Sequence, residues 1–218
     1  MVLRLLGRLA CELVAPSRCA ACDERVDPRR TLLFCGACAT TLEGASSRSP
    51  AAFTYGGAVA EAIVRLKYGA RPDLGARLGE AMAACPFVDR VRDTVDLVVP
   101  VPLHPRRLVE RGYNQAALLA RPVARALSVP LGARVLERVR DTPQQASLGR
   151  AARLVNVASA FRCCEPERVD GARIVLVDDV RTTGATLAEC TSALAFAGAR
   201  AVVPFVLASR VHELRESR

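Results

Sequence analysis

Hydrophobic and polar positions along the chain switch between the period of strands and the period of helices. Continuous or alternating apolar runs predict strands over 53–55, 95–101, 134–139, 174–177 and 201–207. Apolar positions spaced three and four residues apart predict helices over 57–67, 74–84, 114–127 and 186–197. Pro122 is expected to kink or split the third of these helices. Strands that alternate with helices predict an α/β domain with a largely parallel sheet.

The first fifteen residues predict an amphipathic helix that packs against the rest of the protein. Its apolar positions fall at steps of four, three and four residues, at Val2, Leu6, Leu9 and Leu13. Charged residues interrupt this stretch, which argues against a secretory signal. No run approaches the ~18 apolar residues of a transmembrane helix. We therefore expect a cytoplasmic protein without a membrane span.

The cysteines divide the chain into two expected parts. Two pairs with a two-residue spacing, separated by twelve residues, are formed by Cys19, Cys22, Cys35 and Cys38. Four thiolates on two tight turns suit one structural zinc ion, while a redox pair or plain reduced thiols are the alternatives. A small polar stretch at 43–52 then predicts a linker. The expected parts are an N-terminal helix with a zinc module at 1–49 and an α/β domain at 50–218.

The charge of the chain favours a polyanionic ligand. The formal net charge is +9 at pH 7, which suits nucleic acid or a phosphorylated metabolite without deciding between them. With zinc bound, residues 1–49 would be close to neutral, so the zinc module is expected to pack rather than to bind DNA. Among 31 basic residues, Lys67 is the only lysine. It is expected either to reach a functional site or to cap the helix that it ends.

The segment that follows the strand at 174–177 carries the strongest chemical signal. Two carboxylates and a Thr/Gly loop that opens a helix are formed by Asp178, Asp179, Val180, Arg181, Thr182, Thr183, Gly184, Ala185 and Thr186. Backbone N–H groups and hydroxyls at a helix start suit a phosphate, and the carboxylates suit sugar hydroxyls. The spacing therefore predicts a ribose 5-phosphate site. The strand is expected to end at the aspartates, so that both face the sugar; an N-capping aspartate is the structural alternative.

This segment resembles the signature of type I phosphoribosyltransferases for phosphoribosyl diphosphate (PRPP). Further segments at 99–107, 111–115, 142–145 and 156–161 resemble the ComF family of phosphoribosyltransferase-like proteins, which also carry an N-terminal four-cysteine zinc module. The resemblance covers nearly the whole chain. It implies a type I phosphoribosyltransferase fold, a parallel sheet flanked by helices, with a small zinc-binding module.

The resemblance also implies roles for particular residues. It makes the loop after 99–101 the pyrophosphate loop, with Arg106 and Arg107 near the diphosphate, and the expected catalytic set is then Asp178, Asp179, Arg106 and Arg107. Arg111, as a further cation, and Lys67, from its position at the end of a helix, complete the expected PRPP site. Guanidinium groups suit a diphosphate, although a solvated basic rim is the alternative for the arginines. His104 is expected to be structural. Residues 142–153 are expected to form a mobile hood over PRPP.

Two functions from different classes follow from the resemblance. The first is transfer of phosphoribosyl from PRPP, bound with Mg²⁺, to a nitrogen nucleophile with release of pyrophosphate, a glycosyltransferase reaction. The second is a factor of competence that handles single-stranded DNA together with other DNA-uptake proteins and binds PRPP without turnover. The scarcity of aromatic residues, 4% of the chain, weighs against strong stacking on single strands.

Overall fold

A computed structural model of the protein describes residues 18–27, 33–46, 49–140 and 160–210. The helix expected in the first fifteen residues and the hood expected at 142–153 lie outside these ranges. Within the described ranges, no helix is both long and apolar enough to cross a membrane.

A four-stranded parallel sheet forms the centre of the fold. Its strands stand in the order β1, β6, β5, β2, with β1 at Ala51–Thr54, β2 at Leu97–Pro100, β5 at Arg173–Arg181 and β6 at Ala201–Ser209. A separate antiparallel pair joins β3, Leu136–Arg138, to β4, Phe161–Cys163. The parallel sheet flanked by helices confirms the predicted fold class.

Helices connect and cover the strands. In chain order they are α1 at Gly36–Ala39, α2 at Gly57–Tyr68, α3 at Asp73–Ala83, α4 at Pro86–Val91, α5 at Pro105–Arg111, α6 at Gln115–Leu127 and α7 at Ala185–Phe196. Pro122 lies inside α6 without splitting it into two helices. Proline removes a single backbone hydrogen bond, and the buried face of α6 holds the helix together on both sides of it.

The two faces of the sheet carry separate apolar layers. On β5, Val175 and Val177 lie in the layer that includes the buried faces of α2, α3 and α6. Ile174 and Leu176 point the other way, into the layer that includes Leu187 of α7. Because side chains alternate along a strand, this pattern fixes the directions of the residues that follow on β5.

Two glycines bring α3 and α6 into close contact. A Cβ atom on Gly79 would lie 2.7 Å from the Leu119 carbonyl oxygen, and one on Gly75 would lie 2.5 Å from Leu118 Cβ. Both distances are below van der Waals contact. The two helices therefore pack backbone against backbone at a spacing that only glycine permits.

The cysteine turns share a hydrophobic core with the rest of the chain. Cys19, Ala20 and Phe34 belong to the same apolar cluster as the buried face of α2. Thr41 Oγ1 also accepts a hydrogen bond from the Ala58 backbone N–H at 3.0 Å, at the start of α2. The N-terminal module is therefore packed onto α2.

Candidate functional site

The strand β5 continues past the two aspartates. It pairs with β6 as far as Arg181, which stands opposite Ser209. The expectation that the strand ends at Asp178 and Asp179 is therefore wrong, and neighbouring positions on an extended strand project to opposite faces. Pairing with β6 extends the strand to Arg181.

Asp179 lies on the face covered by α2. Its side chain is buried, and its Oδ1 stands 2.7 Å from the Nζ of Lys67, in the last turn of that helix. Its Oδ2 is also buried and has no hydrogen-bond partner among the described residues. A buried carboxylate oxygen without a donor is costly, and a ligand hydroxyl would satisfy it. Of the two expectations for Lys67, the structure places it in the candidate site.

Asp178 lies on the opposite face and is half-buried. Its Oδ1 accepts a hydrogen bond from the backbone N–H of Asp179 at 2.8 Å. Desolvation, together with the neighbouring Asp179 carboxylate, raises the pKa of Asp178 to about 8. Burial and the Asp178 charge likewise raise the pKa of Cys190, on α7. Burial and the neighbouring carboxylate therefore favour the protonated form of Asp178.

The loop at 182–184 leads directly into α7. Gly184 has φ +78°, a left-handed conformation that favours glycine, and the helix begins at Ala185. Thr183 Oγ1 accepts a hydrogen bond from the Ala185 backbone N–H at 3.4 Å. Thr182 and Thr183 are exposed and Thr186 is half-exposed. This start of a twelve-residue helix offers N–H groups, hydroxyls and the positive end of a helix dipole to an anion.

The side chains of Val180 and Arg181 offer less to a ligand than those of the other residues in 178–186. Val180 packs against the apolar layer under α2. Arg181 Nε donates to Ser209 Oγ at 3.2 Å, which directs the side chain along β6. Their backbone, rather than their side chains, connects the aspartates to the loop.

A cavity of about 490 Å³ lies between the end of α2 and the end of α5. It is lined by Lys67, Tyr68, Ala70, Arg107, Glu110, Arg111 and Tyr113. Three of these side chains are cationic and one is anionic, so the cavity is net positive. Lys67 both lines the cavity and pairs with Asp179, and thus joins the two parts of the candidate site.

Of the arginines predicted to bind PRPP, two line the cavity and one lies outside its lining. Arg107 and Arg111 line the cavity, and Arg111 lies 5.4 Å from the centre of the Tyr68 ring while donating to Gln115 Oε1 at 2.7 Å. Arg106 is exposed and pairs with Glu110 at 3.2 Å, outside the lining. His104 has the expected structural place, because its Nδ1 caps α5 by accepting from the Arg106 backbone N–H at 3.3 Å.

Two neighbouring residues between α5 and α6 make contacts that the sequence analysis did not predict. The hydroxyl of Tyr113 donates to the Leu66 carbonyl oxygen at 2.6 Å, which ties the segment before α6 to the end of α2. Asn114 caps α6 and donates from Nδ2 to the Val101 carbonyl oxygen at 3.0 Å. The sequence offers a signal only for Asn114, since asparagine before an apolar-periodic run is a common N-cap.

The four paired cysteines lie together. The Sγ atoms of Cys19, Cys22, Cys35 and Cys38 are all within 4.8 Å of one another, and those of Cys22 and Cys35 are 3.6 Å apart. Tetrahedral zinc with Zn–S bonds of ~2.3 Å places its sulfur ligands roughly 3.8 Å apart. Burial raises the pKa of Cys19, but hydrogen bonds from the Cys22, Cys35 and Ala21 backbone outweigh it and lower the pKa to about 6. The cluster could therefore hold zinc.

Comparison with known proteins finds a family model and relatives that match part of the chain. The phosphoribosyl transferase domain matches residues 114–218. The DNA utilization protein YhgH of Salmonella typhi is 37% identical over 144 residues, 64% of this chain and 62% of that protein. Competence protein F of Haemophilus influenzae is 38% identical over 100 residues, 45% of this chain and 44% of that protein. The match thus spans less than two thirds of either relative.

A solved structure gives a weaker match. The glutamine PRPP amidotransferase from B. subtilis, complexed with ADP and GMP, is 20% identical, with a TM-score of 0.44 over 66% of this chain and 30% of that one.

Proposed function

We propose that the chain binds PRPP at the carboxyl edge of its sheet. Its similarity to the DNA utilization protein YhgH and to competence protein F, and the match of residues 114–218 to the phosphoribosyl transferase domain, support this proposal. The proposed reaction transfers phosphoribosyl from PRPP to a nitrogen nucleophile. The pair of Lys67 and Asp179, between a cationic cavity and a helix start, is the observation that carries the proposal.

The carboxylates suit the ribose ring. Asp179 Oδ2, buried and without a donor in the described part of the chain, would accept a hydrogen bond from a ribose hydroxyl. Asp178, on the opposite face of β5, would act less directly, by accepting the Asp179 backbone N–H and so fixing the backbone beside the ribose. Since the two side chains leave β5 on opposite faces, Asp179 is the better placed toward the cavity.

The 5′-phosphate and the diphosphate of PRPP would bind at two separate positions. The 5′-phosphate would bind the N–H groups and hydroxyls of residues 182–186 at the start of α7. The diphosphate would lie in the cavity, where Arg107, Arg111 and Lys67 offer positive charge. Arg106, on the rim, would act at longer range and be screened by salt.

A magnesium ion fits this site only as part of the ligand. Asp178 and Asp179 are too few and too divergent to form a cage for Mg²⁺ by themselves, so PRPP oxygens and water would complete its coordination. When bound, Mg²⁺ supplies charge neutralisation for the diphosphate.

In the proposed transfer, the protein mainly has to position the reacting groups and stabilise the negative charge of the leaving group. The bond between C1 of the ribose and the diphosphate oxygen breaks, a bond from the nucleophile nitrogen to C1 forms, and pyrophosphate leaves with the electron pair. The arginines and Lys67 would stabilise the charge that grows on the leaving group. The nitrogen loses its proton to water or to pyrophosphate.

Calorimetric titration with PRPP and Mg²⁺ tests this function. Asp179→Asn should weaken PRPP binding roughly 10- to 100-fold, the value of a charged hydrogen bond. Asp89→Asn, which removes an exposed ion pair with Arg92, should bind like the unchanged protein. Release of pyrophosphate with a panel of amines and bases would then support turnover. No PRPP binding by the unchanged protein, or equal binding by Asp179→Asn, would contradict the proposal.

A second candidate function is the handling of single-stranded DNA in the cytoplasm, with PRPP bound but not consumed. The names of the two relatives and the exposed Tyr68 ring beside Arg111 favour it. Affinity for a single strand should fall steeply with salt, and paired substitution of Arg106 and Arg107 by alanine should reduce that slope. Binding that does not depend on salt would remove this candidate.

A further inference from the structure

We propose that Asp23, in the first cysteine turn, positions the wall of the cationic cavity, residues 67–70. The cysteine module would then take part in ligand binding, beyond any contribution to stability. The inference rests on the proposed function for the identity of the ligand. The contacts that carry it belong to residues outside the cavity itself.

One carboxylate oxygen holds both ends of the cavity wall. Asp23 Oδ1 lies 2.7 Å from Arg65 Nη2, in the last turn of α2, and 2.6 Å from Arg71 Nη1. Arg65 and Arg71 flank the segment that supplies three lining residues, Lys67, Tyr68 and Ala70. A displacement of Asp23 would therefore release the wall on both sides at once.

The cysteine turn fixes the position of Asp23. Its backbone is left-handed, with φ +68°, and its N–H donates to the Cys19 carbonyl oxygen at 3.1 Å. Arg65 reinforces the same contact, because its Nη1 donates to the Ala21 carbonyl oxygen at 3.2 Å. The turn between the first two cysteines is thus bound directly to the end of α2.

The wall needs such anchors because its own conformation is unfavourable. Ala70 has φ +50°, in the left-handed region that a residue with a Cβ rarely adopts. On the far side, Arg71 Nε and Nη2 each donate to Asp73 at 2.8 Å, which fixes the guanidinium against α3. Arg71 therefore bridges the cysteine turn and α3 across the strained residue.

The same end of α2 positions Lys67. Arg65 and Lys67 flank the buried Leu66, so that one side chain contacts the cysteine turn while the other reaches Asp179 at 2.7 Å. If the anchor is lost, the ligand must order the wall itself, and its affinity falls by that cost. Asp23 is accordingly a positioning residue that acts through Arg65 and Arg71.

Asp23→Asn is the variant that tests this role. Asparagine tolerates a left-handed backbone and keeps the size of the side chain, but it loses the charge that holds the two arginines. In titration with PRPP and Mg²⁺, its Kd should rise roughly 5- to 20-fold, within the usual range of coupling between two sites. Asp89→Asn is the matched control, since it also removes an ion pair with an arginine.

A second readout works without a ligand. Because Lys67 is the only lysine in the chain, selective ¹³C,¹⁵N-lysine labelling gives NMR signals from this side chain alone. Its Cε and Nζ shifts should change in Asp23→Asn and stay unchanged in Asp89→Asn. A merely stabilising role for Asp23 would lower the melting temperature without moving these signals in the folded protein.

A variant on the helix side covers the case in which Asp23→Asn disturbs the cysteine cluster itself. Arg65→Met keeps the alkyl stem on α2 and leaves the cysteine turn intact, and it should give the same change in Kd and in the Lys67 signals. Unchanged Kd and unchanged signals in both variants would overturn the positioning role. No PRPP binding by the unchanged protein would instead contradict the proposed function, while the Lys67 signals would still decide the role of Asp23.

Discussion

Replacement of Asp178 by asparagine should stabilise the ligand-free protein. The carboxylate of Asp178 is half-buried beside a second carboxylate, so that its charged form is unfavourable in the folded state. Asparagine keeps the oxygen that accepts from the Asp179 N–H. The substitution therefore removes the ionisation and leaves the local hydrogen bond in place.

The size and the sign of this effect follow from the pKa. Folding raises the pKa of Asp178 from 3.8 to about 8. Between these two values the unfolded chain has lost the proton that the folded protein retains, so that stability falls as pH rises through this window. One pKa unit corresponds to about 1.4 kcal/mol, and the three units between 3.8 and pH 7 correspond to roughly 4 kcal/mol.

Urea denaturation at a series of pH values measures this contribution. The free energy of unfolding of Asp178→Asn should exceed that of the unchanged protein by roughly 4 kcal/mol at pH 7, and by about 1.4 kcal/mol less for each pH unit below that. The difference should level off above pH 8. The exposed Asp89→Asn should show no such slope, because a surface ion pair contributes little.

Two results would refute this reasoning. One is a variant that is no more stable than the unchanged protein at pH 7, and the other is a stability difference that does not change between pH 5.5 and pH 8.

Two further predictions concern the cysteine cluster and the helix contact. Cys35→Ser should reduce bound zinc well below one ion per chain and lower the melting temperature, whereas Cys164→Ser, outside the cluster, should leave about one zinc per chain by elemental analysis. Freely reactive cluster thiols in metal-free protein purified without chelator would contradict the zinc assignment. Gly79→Ala should destabilise the protein by roughly 1–3 kcal/mol in urea denaturation, because its Cβ meets the rigid Leu119 carbonyl oxygen. Gly44→Ala, with nothing within 4 Å, should have little effect, and equal stability of both variants would show that α3 and α6 separate easily.

The sequence predicts the elements whose own side chains decide their structure. Helices α2, α3, α6 and α7 and strands β2, β5 and β6 lie where apolar periodicity places them, since each buries a face against the sheet or the helices. Helices α4 and α5 and the strand β4 are short, and no periodicity marks them. The end of β5 could not be predicted either, because pairing with β6 extends it through polar residues.

In the candidate site, too, the features set by local sequence could be predicted and those set by long-range contacts could not. The Asp and Thr residues of 178–186 are local, and their spacing alone identifies a candidate ribose-phosphate loop. The contact between Lys67 and Asp179 joins positions more than a hundred residues apart, and only the parallel sheet brings them together. The one available signal in the sequence was that Lys67 is the single lysine beside thirty arginines. It indicates that a lysine is needed at this position, but it does not identify Asp179 as its partner.

The order of the strands has a consequence for biosynthesis. β1 pairs with β6, which lies some 150 residues further along the chain. β1 is therefore synthesised early in translation but can pair only after β6 has been synthesised. Until β6 emerges, the facing edges of both β1 and β5 are open to wrong partners. A nascent chain of this protein therefore completes its sheet late, and a ribosome stalled before β6 would leave an aggregation-prone product.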